Sequence, residues 1–76
     1  MFKVVTYKDK KIVDKFEIDE HEDNAFQKAL VQCDRFVWKY QERDEKFLVA
    51  LLQNDRLLRW HKDSGWNFPK NNSIYV

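Results

Sequence analysis

Apolar and polar positions alternate poorly in the second half of the chain, and that departure is its strongest signal. Phe47 to His61, FLVALLQNDRLLRWH, predicts two strands joined by a tight Asn54-Asp55 turn, because both turn residues tolerate the positive φ of a two-residue hairpin. With Leu52 opposite Leu57, Leu51 opposite Leu58 and Val49 opposite Trp60, one face carries Phe47, Val49, Leu51, Leu58 and Trp60. The other carries Leu48, Ala50, Leu52 and Leu57, edged by Arg59 and His61. A hairpin buried on one side alternates apolar with polar; this one is apolar on both faces and needs two covers.

Two earlier segments, Phe2 to Lys8 and Lys11 to Ile18, are rich in Val, Ile, Phe and Tyr and predict a first hairpin around the polar turn Lys8-Asp9-Lys10. A three-residue turn puts Phe2, Val4, Thr6, Ile12, Phe16 and Ile18 on one face. Lys3, Val5, Tyr7, Val13, Lys15 and Glu17 then share the other. This register places Asp14 on the apolar face, which counts against it, but a turn of even length divides the apolar residues worse.

Between the hairpins, the acidic run Asp19-Glu20-His21-Glu22-Asp23-Asn24 leads into a helix expected from about Glu22 to about Arg43. Carboxylates suit a helix N-terminus, where the peptide dipole favours negative charge. At about 100° per residue, Ala25, Phe26, Ala29, Leu30, Cys33, Phe36, Val37 and Tyr40 form one stripe that should lie on the sheet. Val31 and Trp38 fall outside it and make a second apolar spot with Arg35 nearby. After the second hairpin, Ser64-Gly65 marks a turn, Trp66 and Phe68 anchor a loop, and Ser73 to Val76 offers a short last strand. The order ββαββ predicts a two-layer α+β domain, with one long helix on an antiparallel sheet of four strands, or five with the last segment.

Length sharpens the need for covers. Seventy-six residues make one domain, and a chain this small buries only about 60% of its unfolded surface. Six Phe, three Tyr and three Trp partly compensate. With 43% hydrophobic and 36% charged residues the chain has a globular composition rather than a disordered one. A net charge of +1, balanced in both halves, argues against a large duplex-DNA footprint. The single cysteine, Cys33, excludes an internal disulfide and a Cys-based zinc site, which favours an intracellular, cytoplasmic location. The N-terminus lacks the apolar core of a signal peptide, and no run approaches the ~20 apolar residues of a membrane span.

Candidate chemistry is sparse. The second sheet face, with Tyr7, His61, Lys3, Lys15 and Arg59, has the ingredients of a single-stranded nucleic-acid platform, where bases stack on rings and cations follow phosphates. It lacks a run of aromatics, and its leucines favour burial against the tail, a second copy or a protein partner. The Val31, Arg35, Trp38 spot has the residue types of binding hot spots; the plainer reading is a Trp lying along its own helix or under the Trp66–Phe68 loop. Asp19 to Asp23, and separately His61 with Asp63, have carboxylate and imidazole groups but no metal-ligand spacing. Cys33 falls mid-stripe and reads as a small buried hydrophobe. Trp60, Trp66, Phe68 and Pro69 read as a small core under a loop, since little volume remains for a ligand pocket.

No nucleophile–base pair or phosphate loop is present, so no catalytic activity, cofactor or metal is expected. The reading that follows is a small intracellular protein-interaction module that acts by binding a protein partner or itself as a homodimer; a phage- or mobile-element-encoded inhibitor of a host protein fits the profile. The partner-binding residues expected are Val5, Tyr7, Val13, Leu48, Leu52, Leu57, Arg59 and His61 on the sheet, and Val31, Arg35 and Trp38 on the helix. The alternative is a single-stranded nucleic-acid-binding domain using the open sheet face.

Overall fold

Among the residues that the computed structural model describes (1–43, 46–62 and 65–69), the chain order is β1 (Phe2–Lys8), β2 (Lys11–Ile18), α1 (Ala25–Gln41), β3 (Leu48–Gln53), β4 (Arg56–Lys62) and β5 (Gly65–Asn67). The strands form one antiparallel sheet in the spatial order β2-β1-β3-β4-β5. Helix α1 lies across β1, β2 and β3 on one face, giving the expected two-layer α+β arrangement. The fifth strand is Gly65–Asn67, so Trp66 belongs to the sheet and not to a loop. The strand expected at 73–76 lies outside the described residues.

The first hairpin turns on two residues, not three. Asp9 and Lys10 both have positive φ (54° and 66°), the conformation of a tight turn that matches strand twist, and Lys8 pairs with Lys11. An even turn alone would send Phe16 and Ile18 to the wrong face. One surplus residue corrects this: the register shifts between Thr6, opposite Asp14, and Tyr7, opposite Ile12, leaving Val13 as a β-bulge. From Asp14 onward the faces are those expected, with Phe2, Val4 and Thr6 beside Ile18, Phe16 and Asp14 under the helix. Ile12 is corrected: it pairs with Tyr7 on the open face and is 53% exposed.

Asp14 has a reason to face the helix. Lys39 Nζ donates to its Oδ2 at 2.8 Å, and the Tyr40 hydroxyl donates to the same oxygen at 2.6 Å. These hydrogen bonds, Lys39's first, hold the carboxyl below its ordinary pKa. A residue that weighed against the register is thus a fastener between β2 and the end of α1.

The second hairpin turns on Asn54 and Asp55, with φ 49° and 68°, and Leu52 pairs with Leu57 as expected. A second bulge follows. Leu58 is the surplus residue, so Leu51 faces Arg59, Ala50 faces Trp60 and Val49 faces His61. Leu58 still packs against the core. Trp60 moves to the open face, while Arg59 and His61 move to the helix side, reversing the expected placement of all three.

The helix begins at Ala25, not Glu22, because Asn24 takes a left-handed conformation (φ 57°) that ends the preceding turn. The acidic run therefore precedes the helix, and no acid lies in its first turn. Asp19 Oδ1 accepts the His21 amide at 2.9 Å. Glu20 clasps the chain start: the Met1 ammonium donates to Oε1 at 3.1 Å and Gln53 Nε2 to Oε2 at 2.8 Å. These bonds, Gln53's first, pull the Glu20 carboxyl down to about 2.

The core joins Phe2, Val4, Ile18, Val49 and Leu51 of the sheet to Ala25, Ala29, Cys33, Phe36 and Val37 of the helix, with Phe16, Leu30, Phe47, Leu58 and Trp66 packed around it. Cys33 is fully buried as expected, and burial pushes its thiol up to about 12. Phe26 is a correction: it is 47% exposed, its ring tilted against Phe2 at 5.5 Å on the rim of the core.

The bulge at Val13 separates two registers that a stability measurement can tell apart. Leu51→Ala should cost ~2–5 kcal/mol in urea unfolding, and Ile12→Ala less than ~1 kcal/mol. A comparable loss at Ile12 would restore the three-residue turn.

Candidate functional site

The uncovered sheet face is a grid fixed by strand register. One row reads Ile12, Tyr7, Leu48, Lys62; the next Lys15, Val5, Ala50, Trp60; the third Glu17, Lys3, Leu52, Leu57. Val5 and Ala50 are small and buried at the centre. Tyr7, Leu48, Leu52 and Trp60 stand half-buried around them, with Leu57 39% exposed and Val13 42% exposed at the flanks. Among the described residues nothing covers this face.

Of the residues expected to meet a partner, Val5, Tyr7, Leu48, Leu52 and Leu57 share this surface, with Val13 at its margin. Trp60 joins them unexpectedly. No local signal marks it, because Leu51-Leu52 and Leu57-Leu58 pair equally well in either register until tertiary packing chooses one. The polar members are mostly cationic. Lys3, Lys15 and Lys62 belong to the grid, where Lys15 pairs with Glu17 at 3.4 Å, and Lys10 and Lys46 line a shallow depression at one end with Asp9, Tyr7, Phe47 and Leu48.

Arg59 and His61 form a different structure on the helix side, beyond the reach of α1. The His61 ring stacks parallel to Phe47 at 5.7 Å and meets the edge of Trp66 at 5.2 Å. The Arg59 guanidinium lies over Trp66, 3.8 Å from its centroid, and near Phe68 at 5.7 Å, a cation–π arrangement. This ladder closes the part of the sheet that the helix leaves open. Phe68, 60% exposed, ends it, and Trp60 is on the opposite face, so the four-residue aromatic cluster expected from the sequence does not form. His61 is buried, with Nδ1 lacking a hydrogen-bond partner. Burial, then the Arg59 charge, pushes its pKa below 6.5.

Val31, Arg35 and Trp38 do come together, on the side of α1 turned away from the sheet, with Asp34, Lys39 and Glu42 around them. Trp38 is 70% exposed, so it is not covered by the Trp66–Phe68 segment. Among the described residues no group of three or more His, Cys, Asp or Glu side chains could hold a metal ion, and Asp63 lies outside them. No helix of the described residues is long and apolar enough to cross a membrane.

The ladder carries a pH signature. Above pH 6.5 His61 is neutral folded or unfolded, and stability is complete. As pH falls below 6.5 the unfolded chain takes the proton first, so stability should drop until the folded-state pKa is passed. Urea unfolding of wild type and His61→Phe should show this limb in the wild type alone. Further loss at lower pH, as Asp14 and Glu20 take up protons, should remain in both.

Comparison with protein-family models, with curated proteins and with solved structures finds no match for this chain.

Proposed function

We propose that this protein acts by binding, and that its open sheet face holds a protein partner whose contact surface is apolar at its centre and acidic at its rim. The observation that carries this reading is the composition of the face. An apolar field of Tyr7, Leu48, Leu52, Leu57 and Trp60 with a buried floor of Val5 and Ala50 has a border in which Lys3, Lys15, Lys62, Lys10 and Lys46 outnumber the acids Glu17, paired to Lys15 at 3.4 Å, and Asp9. Large contiguous apolar patches on soluble domains mark contact sites, and a cationic border selects carboxylates on the other side. Occupying a partner's surface in this way is also how an inhibitor without catalytic groups would work.

Single-stranded nucleic acid is the second reading. Tyr7 and Trp60 could each stack a base, and the lysines could follow phosphates. Against it, Arg59 and His61 are turned to the helix side, and the two rings lie on β1 and β4 with β3 between them. The aliphatic residues outnumber the rings and offer bases nothing to stack on.

Affinity capture with wild type and with Leu57→Glu, both nuclease-treated, separates these readings. The variant should stay folded, losing less than ~1 kcal/mol, yet lose the protein that wild type retains. The purified captured protein should bind wild type directly. Equal capture by both, or a large loss of stability showing that the chain itself covers Leu57, would overturn the proposal. Submicromolar, salt-sensitive binding of an oligothymidylate would favour the nucleic-acid reading.

A further inference from the structure

The outer face of α1 carries a second apolar surface, in the opposite layer from the open sheet face. Val31 is 51% exposed and Trp38 70%. Seven residues apart, they are about 10.5 Å apart along the axis and within about 20° of each other around it. Asp34 and Arg35 flank the line joining them, about 50° to either side. All four line one shallow depression, and neither charge is engaged in an ion pair among the described residues.

We propose that this face joins two copies of the chain as a parallel pair of α1 helices about a two-fold axis running along them. Such an axis carries the Asp34 flank of one helix onto the side occupied by the Arg35 flank of the other, at nearly the same height. Trp38 then meets Trp38, Val31 meets Val31, and each Arg35 meets the other copy's Asp34. One symmetry operation pairs two apolar contacts with two opposite-charge contacts, the self-complementarity an isologous interface requires. An antiparallel pair lacks it. Its two-fold axis lies across the helices and keeps each flank on its own side, so seating Val31 on Trp38 brings Arg35 against Arg35 and Asp34 against Asp34. Lys39, also in this depression, is held by Asp14. At the end of the seam the parallel pair brings Glu42 toward its own copy. The two Asp34–Arg35 contacts at its middle outnumber that one like-charge approach and favour a second copy in parallel.

Two 17-residue helices bury less than a standard interface, so association should be weak, with a dissociation constant of ~10 µM to ~1 mM. The dimer leaves both sheet faces outward and does not depend on what they bind. Sedimentation equilibrium from ~10 µM to ~2 mM should show a monomer–dimer equilibrium across that range. Trp38→Ala, a change at an exposed position, should weaken it at least ~10-fold with the circular dichroism of the fold retained. Asp34→Arg and Arg35→Asp should each weaken it, and the double exchange should recover association to within ~3-fold of wild type. A monomer throughout, a dimer indifferent to Trp38→Ala, a double exchange that fails to recover, or a dimer abolished by Leu57→Glu on the sheet would each overturn the proposal.

Discussion

Each hairpin combines a two-residue turn of positive φ with one surplus residue in a strand, and the distribution of every other side chain follows from that pairing. Strand side chains alternate with a period of two, so a single extra residue exchanges the faces of everything beyond it. In β2 the bulge at Val13 returns Asp14, Phe16 and Ile18 to the helix. In β4 the bulge at Leu58 sends Trp60 to the open side and Arg59 and His61 to the helix side. Without the first bulge, Phe16 and Ile18 would be lost from the core; without the second, the open face would carry Arg59 and His61 in place of Trp60.

The helix side of the sheet is wider than its cover. Five strands at about 4.8 Å make a sheet about 19 Å across, and one helix is about 10 Å wide. Helix α1 covers β1 to β3, and Lys39 with Tyr40 secures its far end to Asp14. The remaining width is closed by side chains of the sheet itself: Phe47 against His61, His61 against Trp66, Trp66 under Arg59. That solution buries an imidazole beside a guanidinium, which favours the neutral ring and ties this part of the fold to pH.

The two unpartnered surfaces are in opposite layers and differ in kind. The sheet face is broad, floored by small residues and bordered by lysines, a shape suited to a partner of complementary charge. The helix face is narrow and charge-balanced, with Asp34 and Glu42 against Arg35 and Lys39 around an apolar line, a pattern suited to its own copy. Nothing in the packing of one constrains the other, since α1 and the core separate them.

The β-rich apolar runs of residues 2–18 and 47–61, the helical stripe and the positive-φ pair Asn54-Asp55 are local properties, and they determined the first four strands, the helix, their order and the two-layer architecture from sequence alone, while β5 did not show. They also determined most of the candidate surface: Val5, Tyr7, Leu48, Leu52 and Leu57 on the sheet, and Val31, Arg35 and Trp38 on the helix. Tertiary structure decided where each surplus residue went. Val13 is displaced because Asp14 gains Lys39 and Tyr40, twenty-five and twenty-six residues away. The bulge at Leu58 lets His61 pack against Phe47 and Trp66 and Arg59 lie over Trp66, contacts that the unbulged register would lose. Hence Ile12, Trp60, Arg59 and His61 changed faces. Bulge position has little local cost difference between neighbouring apolar residues, so long-range contacts select it, and a single sequence does not display those contacts.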